Sequence, residues 1–255
     1  MSLGFEEEGD GPALIMVHGL GGSSNCFQPQ ARKLAKQYRV IRPDLPGAGR
    51  SMSNTSTTIV DVADELVKLL AQLKISSAHW VGHSLGSVIC QVVALQHQTQ
   101  VRSLALLGPI SELPPSGRSA LRSRAAKVHL EGLSGIVDPY IATALATDID
   151  ETNPVAGAFL RECLLRQSPH HYAKFCLDLA QHDAVPLHNI SVPLLLITGD
   201  QDKTATVESV TAIAKKSSNA TLIILKDCGH WSTIERPSEV TSAVDQHLRA
   251  ATASQ

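Results

Sequence analysis

The sequence predicts an α/β fold: a mostly parallel, doubly wound sheet with a helical lid inserted between two of its strands. Short apolar runs about the length of a strand recur along the 255 residues, and most of them stop at Gly, Pro or Asp. Segments with helical apolar spacing lie between these runs, the alternation expected when helices cross over between parallel strands. From about residue 111 to 187 the alternation ceases and only helix-like pieces follow one another.

The first strand-like run is Leu14-Ile15-Met16-Val17, followed by Tyr38-Arg39-Val40-Ile41, His79-Trp80-Val81, Leu104-Ala105-Leu106-Leu107, Leu194-Leu195-Leu196-Ile197 and Leu222-Ile223-Ile224-Leu225. Unbroken apolar runs fit strands covered on both faces. Residues 58–73 place Ile59, Val62, Ala63, Leu66, Leu69, Leu70 and Leu73 on one helix face, with Thr58 and Asp61 spaced as a capping box. Val88, Ile89, Val92, Val93 and Leu95 predict a largely buried helix. Val207, Val210, Ile213 and Ala214 predict another, and Pro237 fits the first turn of a last helix carrying Val240, Val244 and Leu248. Helix-like pieces at 118–131, 136–146, 154–167 and 170–182 are punctuated by Pro114, Pro115, Pro154, Pro169 and Pro186. The expected division is a core of residues 1–110 and 188–255 and a lid of residues 111–187, over the strand ends where open α/β sheets bind ligands.

Bulk properties exclude several classes of function. A hydrophobic fraction of 43% over this length supports one substantial core with a lid, and the net charge of −2 with mixed signs offers no basic stripe for nucleic acid. No apolar run approaches the roughly 20 residues of a membrane span. The acidic N-terminus lacks the features of a secretory signal. Cys26, Cys90, Cys163, Cys176 and Cys228 are odd in number and never spaced C-x-x-C, so they read as reduced thiols, with neither a disulfide set nor a zinc site. The expectation is a cytoplasmic protein that binds neither nucleic acid nor membrane.

The informative stretch is Gly82-His83-Ser84-Leu85-Gly86, at the junction of a strand-like run and a helix-like run. G-x-S-x-G occurs by chance, but strand, sharp turn and helix together are what a nucleophile elbow requires: the turn exposes the hydroxyl and the helix start favours developing negative charge. A serine hydroxyl needs a base. His230, in the loop after the last strand, is the best placed, whereas His97, His129 and His247 read as surface residues and His83 as packing under the elbow. The base needs a carboxylate partner. Asp202 is favoured over Asp200, which fits a turn-stabilising role, and over Glu112. Val17-His18-Gly19-Leu20-Gly21-Gly22 has neither the G-x-G-x-x-G spacing nor the lysine of a phosphate loop, so its N–H groups are assigned to an oxyanion hole, with Leu20 and Leu85 as the backbone donors.

These residues closely resemble the α/β-hydrolase superfamily over nearly the whole chain. The matching pieces are His18-Gly19, Asp44-Leu45-Pro46-Gly47-Ala48-Gly49-Arg50-Ser51, the 82–86 elbow, the 199–202 turn and Gly229-His230, in the chain order Ser84, Asp202, His230. The 111–187 segment is most similar to 3-oxoadipate enol-lactonases. The similar parts are Arg124-Ala125-Ala126 leading to Glu131-Gly132-Leu133, and Leu164 through Ser168-Pro169-His170-His171-Tyr172-Ala173 to Cys176 and Asp183. The chain departs from the pattern where the family often has a histidine (Ala48) and a second glycine (Ser87), and its short N-terminus implies that the usual first strand is missing.

The resemblance implies a serine hydrolase that opens a small ester or lactone through an acyl-enzyme, with no metal and no organic cofactor. An enol-lactone from aromatic degradation carries a carboxylate, and an arginine fork suits it. Arg118, Arg122, Arg124 and Lys127 lie on the first lid segment, where any one of them is most simply a solvated face. Arg122 or Arg124 is the expected carboxylate ligand. Trp231 either walls the pocket or packs the loop. A general carboxylesterase and a carbon–carbon bond hydrolase fit the same triad, while Ser84 argues against epoxide hydrolases and haloalkane dehalogenases, which place an aspartate there. The alternative of a different class is a hydrolase-fold ligand receptor with little turnover.

Overall fold

The structure is a computed structural model and describes residues 3–51 and 58–253. Its strands are β1 (Phe5–Glu8), β2 (Ala13–Val17), β3 (Arg39–Pro43), β4 (Ala78–His83), β5 (Val101–Leu107), β6 (Leu194–Gly199) and β7 (Ala220–Leu225). They form one sheet in the order β1-β3-β2-β4-β5-β6-β7, parallel throughout except for the antiparallel pair β1–β3. All residues of β2, β4 and β6 are buried, as their unbroken apolar runs require.

Both edges differ from the reading of the sequence. Residues 5–8, with three consecutive glutamates, look unlike a strand. They pair with β3 because arginines accept the acids: Glu7 with Arg39, Glu8 with Arg42 and Glu6 with Arg50. The opposite edge, β7, pairs only with β6, so it is half-buried and Ile224 is exposed, although its run reads as a buried strand.

The helices are α1 (Gln28–Leu34), α2 (Ile59–Gln72), α3 (Leu85–Gln96), α4 (Pro115–Glu131), α5 (Val137–Ala144), α6 (Ile149–Thr152), α7 (Pro154–Leu165), α8 (Pro169–Gln181), α9 (Val207–Lys215), α10 (Ser232–Glu235) and α11 (Pro237–Ala253). Thr58 and Asp61 form the expected capping box on α2. One apolar cluster lies between the sheet and α2, α3 and α9, and a second between the sheet and α1 and α11. Helices α4–α8 occupy the chain between β5 and β6 and build a third cluster, which reaches Cys26, Trp231 and Ile234 on the core side. Among the described residues no helix is long and apolar enough to cross a membrane.

The sheet order reverses direction between β2 and β4: after β2 the chain moves outward to β3, then returns to place β4 on the other side of β2. The crevice beyond the C-terminal ends of these two strands is the position at which open α/β sheets accept ligands.

His79 on β4 and His247 on α11 are held well below the ordinary histidine value, each at about 4, chiefly by burial. The neutral ring is therefore favoured in the folded state, and below the unfolded value of about 6.5 the unfolded chain takes up protons first. Their contribution to stability is complete above pH 6.5 and is lost as pH falls toward 4. Thermal unfolding followed against pH is expected to show a midpoint declining across this window, with a shallower decline for the double variant His79→Gln/His247→Gln.

Candidate active site

Ser84 follows β4 directly and caps α3 with φ 50° and ψ −115°, a conformation that a non-glycine residue rarely adopts. Such strain costs on the order of 1–3 kcal/mol and persists only when the surroundings over-determine it. Here the Ser84 N–H donates to Leu107 O at 2.9 Å, and its carbonyl accepts from the Ser87 N–H at 2.8 Å and from Ser87 Oγ at 2.6 Å. A side chain on Gly86 would run into the backbone of Val17, so α3 starts directly against the end of β2. Ser87, standing where the family often has glycine, also accepts from the Ile110 N–H at 3.2 Å and so ties the elbow to the chain leaving β5.

The loop after β7 carries His230, which is 2% exposed. Its Nδ1 lies 2.8 Å from Asp202 Oδ2, in the loop after β6. A carboxylate only accepts, so Nδ1 holds the ring proton and Nε2 keeps a free lone pair. The other Asp202 oxygen accepts from the N–H groups of Thr204 at 2.7 Å and Ala205 at 2.8 Å. Burial alone would raise this carboxyl. The adjacent His230, its hydrogen bond and the two backbone donors outweigh burial and hold it below the ordinary aspartate value. Asp200 is exposed and accepts from the Cys228 N–H at 3.1 Å, a turn contact, and Glu112 is exposed as well.

Among the described residues no hydrogen bond joins Ser84 Oγ to the His230 ring. The two meet across the chain that follows β5. Ser84 N–H bonds to Leu107 O, and a Cβ on the next residue, Gly108, would lie 2.9 Å from His230 Cε1 and 3.0 Å from Nδ1. Gly108 also has φ 52°, so glycine is required there for both conformation and clearance. Its only sequence signal is a glycine immediately after a strand run.

His83 is a second residue that the sequence reading undervalues. Its Nε2–H donates to the His230 carbonyl at 2.8 Å, its ring lies 4.7 Å from that of Trp231, and burial with the nearby His230 lowers its pKa to about 3. It is a neutral strut under the loop that carries His230. The His230 N–H donates to Ala144 O at 2.7 Å, which brings the end of α5 into the same structure.

The 18–22 loop passes beside the elbow, close enough that a Cβ on Gly19 would lie 3.0 Å from Ser84 Cβ. His18 Nδ1–H donates to Gly19 O at 2.8 Å and its Nε2 accepts from the Leu45 N–H at 2.9 Å, which requires the neutral ring that burial also favours. Asp44 ties the next loop down through the N–H groups of Ser24 and Arg50. Leu20 and Leu85 line one recess of about 10 Å³ together with Tyr172, Phe175, Gln167 and Ala48. Neither Leu20 nor Leu85 uses its N–H in a hydrogen bond among the described residues.

Two arginines of α4 part company. Arg122 is exposed, reaches Ala180 O at 3.4 Å and lines an outer groove of about 640 Å³ between α4 and α8, a groove that contains none of Ser84, Asp202 and His230. Arg124 is half-buried. Its guanidinium sits 4.9 Å from the Tyr140 ring centroid, and no carboxylate pairs with it among the described residues. Tyr140 OH accepts from Trp231 Nε1–H at 3.0 Å, and the buried Tyr172 hydroxyl faces the Arg124 guanidinium. Trp231 is wholly buried, its indole N–H committed to Tyr140, so it packs the loop that carries His230 and presents no surface to a ligand.

A family model described as the alpha/beta hydrolase fold matches residues 12–237. The chain belongs to this family. The α/β hydrolase is 28% identical to 3-oxoadipate enol-lactonase 2 of Acinetobacter baylyi over 95% of its own length and 90% of the relative's. It is 32% identical to the magnesium-chelatase 30 kDa subunit of Rhodobacter capsulatus, over 76% of its own length and 72% of that protein's. The enol-lactonase structure from Burkholderia xenovorans LB400 superposes on the hydrolase with a TM-score of 0.91 at 27% identity, covering 97% of this chain and 96% of that one.

Replacing Gly108 by alanine is expected to leave the hydrolase folded, at a left-handed backbone cost of roughly 1–2 kcal/mol, while pushing the imidazole off Asp202. The far-downfield NMR resonance of the His230 Nδ1 proton should be present in the wild-type protein and absent from Gly108→Ala. Its persistence in the variant would show that the ring does not depend on this clearance.

Proposed function

We propose that this α/β hydrolase is a serine hydrolase that opens a small, carboxylate-bearing lactone or ester through an acyl-enzyme. The observation that carries this reading is the buried 2.8 Å pair of His230 Nδ1 and Asp202 Oδ2 beside a serine held at positive φ at the reversal point of the sheet. Ser84 Oγ attacks the carbonyl as His230 Nε2 takes its proton. The N–H groups of Leu20 and Leu85 hold the oxyanion in the recess that both line. His230 then protonates the leaving oxygen and activates water to release the acid, while Asp202 stays ionised and steadies the imidazolium. An enolate leaves more readily than an alkoxide, and an opened enol-lactone tautomerises to a ketone.

Arg124, which has tyrosine neighbours but no carboxylate among the described residues, favours an anionic substrate. A half-buried guanidinium without a carboxylate is costly unless an anion completes it, and this one lies between Tyr172, on the inner recess, and an outer recess of about 240 Å³ that it lines with Tyr140. Arg122 faces the outer groove and is not part of this arrangement. In this reading helices α4–α8 act as a lid: the recess of about 10 Å³ holds no more than a water molecule, so the lid moves to admit substrate. The similarity to the two enol-lactonases supports the same substrate class.

A second reading, a hydrolase fold serving as a ligand receptor with little turnover, has one observation in its favour: Ser84 and His230 share no hydrogen bond among the described residues. Rate measurements with an enol-lactone and with p-nitrophenyl acetate, beside Ser84→Ala, separate the two. Fast lactone opening that disappears in Ser84→Ala supports the lactonase. Nitrophenyl turnover without lactone opening leaves a general esterase, and saturable lactone binding without turnover leaves a receptor. Arg124→Met is expected to raise KM for the charged lactone about 10-fold or more, the value of a charge-assisted contact of roughly 1.5–3 kcal/mol, and to leave the neutral ester unaffected; Arg122→Met is expected to change neither.

A further inference from the structure

The loop carrying His230 is held by a second buried carboxylate that the reaction above does not use. Glu235, on α10 and 3% exposed, accepts three backbone N–H groups: Gly229 at 2.9 Å and Ala146 at 2.8 Å on Oε2, and Trp231 at 2.8 Å on Oε1. Gly229 and Trp231 flank His230. Ala146 belongs to the segment 144–147 of the helical insertion, which also accepts the His230 N–H through Ala144 O at 2.7 Å. The same segment reaches the acid loop, where Gln201 Oε1 accepts from the Thr147 N–H at 2.9 Å and from Thr147 Oγ1 at 3.1 Å. Residues 144–147 therefore cross both loops like a strap, and Gly229 is passed so closely that a Cβ there would lie 2.7 Å from Ala144 O.

We infer that Glu235 is a positioning residue that fixes the His230 imidazole by locking its loop to the 144–147 strap, so that this part of the insertion stays with the core while the remainder moves. The inference rests on the Ser84–His230–Asp202 reading above. Its chemistry is that of a carboxylate serving as a backbone acceptor: three N–H groups with no other partner among the described residues are satisfied by one side chain. Burial pushes the Glu235 carboxyl up, while the three donors and the facing His230 act in the opposite sense. The titratable groups facing His230 are Asp202 from the loop after β6, His83 from the end of β4 and Glu235 from α10. An ionised Glu235 favours the imidazolium. Removing its charge withdraws that support, and the acid limb of kcat/KM moves to lower pH.

The test compares Glu235→Gln, Glu235→Asp and Ser84→Ala with the wild-type protein, using p-nitrophenyl acetate for kcat, KM and the pH profile, and circular dichroism for folding. In Glu235→Gln an amide NH2 replaces one accepting oxygen and faces N–H donors. The expected result is a kcat lower by about 10–100-fold, the scale of a displaced catalytic group, with KM little changed and the acid limb shifted to lower pH. Glu235→Asp keeps the charge but not the reach, so kcat falls while the acid limb stays in place. A folded variant with wild-type kcat, or a Glu235→Gln profile whose acid limb does not move, overturns the inference. Should both variants fail to fold, hydrogen exchange on the wild-type protein decides: the amides of Ala146, Gly229 and Trp231 exchange at one common rate if Glu235 locks them together, and an Ala146 amide that exchanges independently overturns the lock. If Ser84→Ala turns over like the wild type, the serine reading has failed. If it is inactive while the folded Glu235 variants match the wild type, only the positioning role has.

Discussion

The hydrogen bond between Asp202 and His230 is the contact that the surrounding structure is organised to keep. Both side chains are out of water, where an ionised carboxylate is stable only with its acceptor sites filled. Thr204 and Ala205 fill one oxygen of Asp202 and His230 the other. The imidazole is held through its own backbone, by His83 under its carbonyl and Ala144 O over its N–H. Gly108 leaves room for the ring, and the chain containing Gly108 is also the one that takes up the Ser84 N–H through Leu107. Strain at Ser84 and clearance at His230 are thus two consequences of one crossing of β4, β5 and the loops after β6 and β7.

The buried charges of the site fall into two kinds. Asp202 and Glu235 are acceptors saturated by N–H groups of the protein itself, so each is structurally complete. Arg124 is different: it has an aromatic neighbour but no anion among the described residues. A guanidinium in this state is preorganised for an anion, and a bound carboxylate would recover what burial costs it. This asymmetry underlies the proposal that the substrate is anionic, and it separates Arg124 from Arg122, which is solvated on the outer face.

Much of this was legible in the sequence because it is local. A strand run ending in G-x-S-x-G predicts the elbow, and loops after later strand runs predict where Asp202 and His230 stand. Periodicity predicts α2 through its capping box and α11 from Pro237. What escaped depends on long-range pairing. Residues 5–8 pair with β3 while Arg39, Arg42 and Arg50 face their acids, contacts that no local pattern announces. Glu235 looks like one more acid on a short helix until Gly229, Trp231 and the distant Ala146 converge on it. Arg122 and Arg124 are two residues apart on α4, and helical spacing alone does not say which of them is half-buried; packing of Arg124 against Tyr140 does.

The most direct test of the central claim, that Ser84 is a nucleophile activated by His230, is intact-protein and peptide mass spectrometry after reaction with a fluorophosphonate, on the wild-type protein and on His230→Ala. The account predicts one equivalent of covalent label on the peptide containing Ser84 and a rate of labelling that collapses without His230. A wild-type protein that takes up no label, or labels elsewhere, or labels Ser84 equally fast without His230, would contradict it.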